Sequence, residues 1–385
     1  MTEKNEKKSV CLVDGFSLVP PLTGVGRSTL ELCRRLFGGF GFFTPLYYYG
    51  YYSSRLMDDV SNEYAPASLV RSRIAETVRS VPFLKRAVRK ALRIYGTWKA
   101  QKADLYWEPN HVVLEQLQAK HILVTVHDLS CLLYPEWHPK ERLDFFGAYF
   151  GKGIQRADLV VTDTAYIRHE VLEYLHLSED RVSCIPCGVD HNLFYPMDKE
   201  ETESFRRLKN LPERFVLCVG SIEPRKNLLR LLEAWKRLPS RVTSGRELLL
   251  IGEKGWENDA IKRVLQEEKG HVRWLGYVPV ADLPYYYNLA ELFVYPSLYE
   301  GFGLPPLEAI ACGTPVLLSD IAVHREVCGD VPLYVTPNDT DEIAQALEAA
   351  LSCSHNPIPL MERAALYDWS KSAAAYEKKM SDMLN

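Results

Sequence analysis

The chain has 385 residues, 47% of them hydrophobic and 25% charged, and a formal net charge of −4 at pH 7. That length predicts two to three domains, the composition excludes a disordered chain, and the near-neutral charge gives no global basis for binding nucleic acid. No apolar run of about 18 residues is present to span a membrane, and nine irregularly spaced cysteines fit reduced, packed thiols in a cytoplasmic protein rather than a disulfide framework.

The opening Met1 to Ser9 is charged and lacks the apolar core of a secretory signal. Val10 to Asp14 reads as a short buried strand. Pro20-Pro21-Leu22-Thr23-Gly24-Val25-Gly26-Arg27 follows, and then an apolar-periodic helix from Ser28 to Phe37. Strand, glycine loop and helix in that order suit the approach of a phosphate. The third glycine of a dinucleotide fingerprint and the lysine of a P-loop are both missing, so a plain tight turn stays open. Phe40 to Tyr52 is aromatic and strand-like. From Arg71 to Lys102 the chain carries ten Lys or Arg against a single acid, Glu76. Leu84, Val88, Ala91, Tyr95 and Trp98 fall at helical steps there, flanked by Lys85, Arg86, Arg89, Lys90 and Arg93. Such a helix either lies on an anionic membrane surface or faces a core with a solvated basic back.

Strands recur at Asp104 to Trp107, Ile122 to Val126 and Leu159 to Thr162, with helical patterns at about His138 to Arg156 and Tyr166 to Leu175. The alternation predicts a parallel sheet with helices on both faces. Polar residues follow the strand ends: Glu108, Asn110 and His111, then His127-Asp128, then Asp163. Open α/β sheets bind ligands at those ends. His127 is then a cleft residue or simply a hydrogen-bonded loop histidine. Cys184-Ile185-Pro186-Cys187 has a redox spacing, but it closes a strand, Val182 to Ile185, instead of opening a helix, and no second pair completes a zinc site. Gly188-Val189-Asp190 is a turn, and the charged stretch Pro196 to Pro212 is the expected linker.

A second series follows: strands at Phe215 to Val219, Glu247 to Ile251, His271 to Leu275, Leu292 to Tyr295 and Pro315 to Leu318, with helices at Asn227 to Arg237, Asn258 to Glu268 and Ala281 to Leu289. Two strand-to-helix junctions stand out. Gly220-Ser221-Ile222-Glu223-Pro224-Arg225-Lys226-Asn227 puts adjacent cations where a helix begins, the chemistry of a phosphate clamp or else a solvated basic pair. Glu300 to Gly313 places two glycines after a carboxylate, prolines where a first helical turn tolerates them, a second carboxylate at Glu308, and Gly313 at the helix end. It reads as a phosphate or polyol cradle or as a glycine-punctuated turn. The tail after Pro357 reads as helix, notably Trp369 to Met383.

Glu300 and Glu308 with seven residues between them, Arg225-Lys226 after Gly220, and the glycine loop at Gly24 to Gly26 together resemble family 4 of the retaining nucleotide-sugar glycosyltransferases, over nearly the whole chain. Ser-Ile-Glu-Pro-Arg-Lys-Asn and His127-Asp128-Leu129 are most similar to bacterial mannosyltransferases that build lipopolysaccharide O-antigens and related polysaccharides. The resemblance implies an α/β, GT-B fold: two Rossmann-like domains facing across a cleft, an acceptor domain at residues 1–195 and a donor domain at 196–365. A C-terminal helix, about 366–385, would pack back onto the first. Arg225 and Lys226 would neutralise the donor diphosphate. Glu300, with Gly301, Phe302, Gly303 and Leu304, would hold the hexose, and Glu308 the ribose. Val278 would meet the base, and Ser221 would line the nucleotide site. His127 and Asp128 would line the cleft near the sugar, and Gly24 and Gly26 would let the first domain approach diphosphate and acceptor. Two departures from the pattern are Cys187, where relatives carry an uncharged polar residue or proline, and a first-domain loop with fewer glycines than some relatives have.

The expectation is therefore a retaining transfer of a hexose, mannose from GDP-mannose, onto a lipid-linked glycan. It would need no metal or other cofactor and proceed by front-face attack. The protein would sit at the inner face of the cytoplasmic membrane, held through Arg71 to Lys102, beside other glycosyltransferases of the pathway. Transfer from a UDP- or ADP-sugar to a soluble acceptor, or non-catalytic sugar-nucleotide binding, are the competing readings.

Overall fold

A computed structural model of the chain describes residues 8–20, 22–38, 42–57, 103–253 and 271–385, together with 255, 261 and 263. The basic segment Arg71 to Lys102 lies outside the described residues, as does most of the helix expected from Asn258 to Glu268.

The first sheet has seven strands: β1 (Ser9–Asp14), β2 (Phe43–Tyr48), β3 (Tyr52–Ser53), β4 (Ala103–Glu108), β5 (Ala119–Val126), β6 (Leu159–Thr162) and β7 (Val182–Cys184), in the order β3-β2-β1-β4-β5-β6-β7. All neighbours pair in parallel except the short edge strand β3. The strands are continuous apolar runs because both faces are covered by helices. Three of these helices are α1 (Gly24–Phe37), α2 (Lys140–Arg156) and α3 (Ala165–Leu175).

α1 starts four residues earlier than its apolar period suggested. Thr23 caps it, its side chain accepting from the amide of Gly26 at 3.4 Å, so the glycine loop is in fact the first helical turn. Gly26 also has a packing reason. A Cβ there would lie 2.3 Å from the carbonyl oxygen of Ser17, so the gap that glycine leaves is filled by protein and is not the open approach expected for a diphosphate.

The stretch expected as a linker holds a helix, α4 (Lys199–Leu208), capped by Asp198, with Glu200 and Glu201 in its first turn and Arg206 and Arg207 in its last. Those charges complement the helix dipole. Phe205 stacks on Tyr285 at 4.4 Å and anchors the helix. A second sheet follows, built from β8 (Arg214–Val219), β9 (Arg246–Ile251), β10 (Val272–Gly276), β11 (Leu292–Tyr295), β12 (Val316–Ser319) and β13 (Leu333–Val335). Its order is β10-β9-β8-β11-β12-β13, with every pair parallel. Helices α5 (Leu228–Lys236), α6 (Leu283–Leu289), α7 (Leu304–Ala311), α8 (Ala322–Cys328), α9 (Thr340–Ala350) and α10 (Ile358–Ala364) accompany it.

The last helix, α11 (Trp369–Asp382), returns to the first domain and packs on α1. The Tyr376 hydroxyl lies 3.0 Å from Thr125 Oγ1, its ring is 5.4 Å from that of Trp107, and Ser372 donates to the carbonyl of Pro186 at 2.6 Å. Among the described residues no helix is long and apolar enough to cross a membrane.

Candidate active site

In the second sheet β8 lies between β9 and β11, so the chain leaves β8 toward one side and β11 toward the other. Loops diverging from such a pair open a crevice at the strands' carboxyl ends. The two motifs are those loops. After β8 the chain runs into a single turn, Pro224–Lys226, and after β11 it reaches Glu300 and then α7, with Pro305 and Pro306 in the first turn.

Lys226 Nζ donates to Glu300 Oε1 at 2.6 Å and to the Tyr295 hydroxyl, while Arg225 Nη1 donates to Glu300 Oε2 at 3.0 Å. Arg225 Nε sits 2.8 Å from Glu223. Burial pushes the Glu300 carboxyl up, but Lys226 and Arg225 outweigh it and hold it at about 2, so Glu300 is ionised. Burial and the like charge of Arg225 lower the Lys226 ammonium against the pull of Glu300. Burial also opposes the Arg225 charge, and Glu300, Glu223 and Asp128 more than offset it. Charges this buried persist because they are paired. Asn227, at φ 59°, locks the loops together: its side-chain amide donates to the carbonyls of Pro296 at 3.0 Å and Pro337 at 2.7 Å.

The remaining expected residues gather around this cluster or across from it. Gly301 packs directly on the first domain, since a Cβ there would lie 2.0 Å from the carbonyl oxygen of His127. Gly303 adopts φ 93°, a left-handed conformation that glycine accepts without strain. Phe302 is buried, and Leu304 Cδ1 would touch a Cβ placed on Gly24 at 3.9 Å, so those two residues face each other across the cleft. Ser221 is half-buried on the loop after β8, and Val278 is buried just beyond β10 beside the exposed Tyr277.

Asp128 Oδ1 accepts from the backbone and side chain of Ser130 at 2.9 and 2.6 Å. Burial would raise its carboxyl, but Arg225 across the cleft and His111 hold it below the usual carboxylate range. His127 uses both ring nitrogens: Nδ1 is 2.6 Å from Asp163 Oδ2 and Nε2 is 2.8 Å from the carbonyl oxygen of Pro109. Its ring is therefore engaged with protein rather than presented to a sugar. Glu308 is likewise occupied, accepting from Arg27 on Oε1 and from the Tyr287 hydroxyl on Oε2 at 2.9 Å. A carboxylate oxygen can accept twice, so a ribose hydroxyl can still join once Arg27 shares its place.

The sequence reading missed the contacts that join the domains. Tyr299 donates to Glu170 at 2.6 Å and accepts from the Leu129 amide at 3.1 Å, Thr164 donates to the Gly301 carbonyl at 3.0 Å, and Glu326 accepts from the amides of Ala165 and Tyr166 at 2.6 and 2.9 Å. No local pattern marks these residues, because each partner lies on the other domain. Cys184 and Cys187 form no disulfide, and burial raises both thiols, which is the inert behaviour expected of packed cysteines.

Two parallel α/β sheets whose strand-end loops meet, one of them bearing a buried carboxylate gripped by two cations at its switch point, define the two-domain architecture of the GT-B fold. Residues 22–193 match the family model described as Glycosyltransferase Family 4, and residues 199–366 match Glycosyl transferases group 1. O-antigen chain mannosyltransferase B of Escherichia coli is 33% identical over 331 residues, covering 84% of this chain and 86% of that protein. The chain belongs to glycosyltransferase family 4. Among solved structures, sucrose-phosphate synthase from Thermosynechococcus elongatus superposes with a TM-score of 0.69 at 21% identity, covering 98% of this chain and 99% of the other. HepE of Anabaena in complex with UDP-glucose also gives 0.69, at 15% identity, with 97% and 100% covered. Both are likenesses of fold.

Proposed function

We propose that the protein transfers mannose from GDP-mannose, with retention at the anomeric carbon, onto a lipid-linked glycan of O-antigen or a related polysaccharide. The observation that carries the reading is the Glu300–Arg225–Lys226 cluster at the second sheet's switch point. A donor diphosphate entering this crevice offers Arg225 and Lys226 a more highly charged partner than Glu300. Once they turn to it, Glu300 is free to accept from hexose hydroxyls, with Gly301, Phe302, Gly303 and Leu304 around the sugar. Ligand binding is then an exchange of ion-pair partners, and the desolvation cost of all three charges is met before the donor arrives.

The same cations stabilise the departing nucleoside diphosphate, so the reading calls for no metal. In front-face attack the departing phosphate oxygen takes the acceptor's proton as the acceptor oxygen joins the anomeric carbon. Glu308 serves the ribose and Val278 and Ser221 the nucleotide side. Asp128 and the main chain of His127 face the donor from the first domain, where Gly24 meets Leu304. The choice of mannose and of an O-antigen acceptor rests on the 33% identity to the Escherichia coli mannosyltransferase. Arg71 to Lys102 would hold the protein at the inner face of the membrane, beside other enzymes of the pathway.

Thermal shift against GDP, UDP and ADP and their sugars tests the donor, since a ligand at about 100 times its Kd adds about 2.7 kcal/mol of apparent stability. GDP and GDP-mannose are expected to give the largest shift, and labelled mannose to appear in the lipid-linked glycan. A larger shift with UDP or ADP would overturn the donor assignment, and no shift with any nucleotide would overturn the site.

A further inference from the structure

We infer that Asp163 is a positioning residue: it keeps the ring of His127 doubly protonated and thereby fixes the His127 main chain on which the donor loop is seated. The inference rests on the transfer reading above. Pro109, His127 and Asp163 each follow a strand of the first sheet, at the ends of β4, β5 and β6. The ring ties the three ends together, with Nε2 2.8 Å from the Pro109 carbonyl and Nδ1 2.6 Å from Asp163. A carbonyl oxygen and a carboxylate are both acceptors, so both ring nitrogens must carry hydrogen, and the ring is an imidazolium paired with its counter-ion. With both nitrogens bonded, it has no position from which to take or give a proton during transfer.

The surroundings agree. Burial opposes the charge on His127, but Asp163, the Pro109 carbonyl and Asp128 more than offset it, so the ring stays protonated above the ordinary histidine range. His111 packs edge-on at 5.4 Å and is driven the other way, to about 3, by burial and by the neighbouring His127 charge. Cys187 lines the same small cavity as Asp163, where burial first and then that carboxylate hold its thiol protonated, and Tyr376 on α11 feels the same carboxylate. Cys187, a departure from the family's pattern, is therefore a neutral neighbour of Asp163. The result reaches the donor loop through the backbone, because Gly301 leaves only the room of its missing Cβ against the His127 carbonyl. Glu300 immediately precedes Gly301, so this contact is where the position of the His127 main chain bears on the donor loop.

The test uses the full-length protein with isotope-labelled histidine, the His127 resonances being identified by their loss in His127→Gln. In the wild type the ring is expected to remain an imidazolium at pH values where an ordinary histidine is neutral. In Asp163→Asn, whose amide can accept the same hydrogen bond without the charge, the ring is expected to titrate at lower pH. There kcat is expected to fall about 10- to 100-fold with donor KM little changed, and Asp163→Glu is expected to restore the protonated ring and part of kcat. A neutral His127 ring at pH 7 in the wild type overturns the proposal, as does an unchanged kcat in a folded Asp163→Asn protein. If the wild type transfers nothing, the transfer reading falls, while the titration still decides whether Asp163 holds the ring.

Discussion

Arg27, on the first helix of the first domain, donates to Glu308 on α7 of the second, and the two side chains are only 20% and 3% exposed. The pair bridges the cleft at a carboxylate proposed to receive the donor ribose. Breaking a buried pair from one side costs about 3–5 kcal/mol if the other charge stays buried. Moving the domains apart would let Glu308 rehydrate instead. Arg27→Ala is therefore expected to increase the radius of gyration of the ligand-free protein in small-angle scattering. An unchanged radius together with unchanged stability would mean that the pair does not hold the cleft.

At the donor site, Lys226→Met and Glu300→Gln remove one charge each while keeping side-chain volume. If Lys226 meets the diphosphate and Glu300 the hexose, each should lower kcat by about 10²- to 10³-fold, the loss typical of one preorganised electrostatic group. Circular dichroism should show both proteins folded. Full activity in both would remove the cluster from the mechanism.

Asp14 and Glu108 end the neighbouring strands β1 and β4 at the first sheet's own switch point. Burial lifts the Asp14 carboxyl to about 6, against the pull of the Phe16 amide, and burial together with Asp14 raises Glu108 well above its ordinary value. In the unfolded chain both return to about 4. Through Asp14 the folded chain thus binds more protons between about pH 4 and 6, and stability falls as pH rises through that window, with Glu108 extending the fall to higher pH. Asp14→Asn keeps an acceptor for Phe16 and removes the charge, so its melting temperature should exceed that of the wild type at pH 7, with the gap shrinking toward pH 4. A variant less stable than the wild type at pH 7 would contradict the shared burial of the two carboxyls.

The chain's end stabilises its beginning through Tyr376, which is fully buried against Trp107 and Thr125. Tyr376→Ala should cost about 3–5 kcal/mol, as large-to-small changes at buried aromatic positions do. The loss should fall on the first domain, read as earlier hydrogen exchange in β4 and β5 than in β8 and β11. Equal loosening of both domains would argue that α11 does not act through the first sheet.

Much of this was written in local pattern. Two alternating series announce two parallel sheets, because each apolar strand between amphipathic helices has only one way to be covered on both faces. Pro305 and Pro306 at the start of α7, and Gly313 beyond its end at φ 75°, follow from what proline and glycine do to the backbone, wherever the chain lies in space. Arg225, Lys226 and Glu300 could be singled out because each sits in a strand-to-helix junction of unusual composition. Local pattern misled where two explanations share one signature. The glycines before Ser28 belong to a helical turn capped by Thr23, and the charged stretch after Pro196 is a helix whose charges suit its dipole.

What the sequence by itself determined, then, is the fold class, the family and which residue types stand at the strand ends. Only the tertiary structure decided how those residues spend their hydrogen bonds. His127 looks free in the sequence and is bonded at both nitrogens. Glu308 looks available and is held by Arg27, 281 residues away, and Gly301 owes its identity to a carbonyl on the other domain. Secondary structure depends on neighbours within a few residues, which periodicity records. The charge state and partner of a buried polar group depend on whatever the folded chain brings within about 3 Å, and that distance has no counterpart along the sequence.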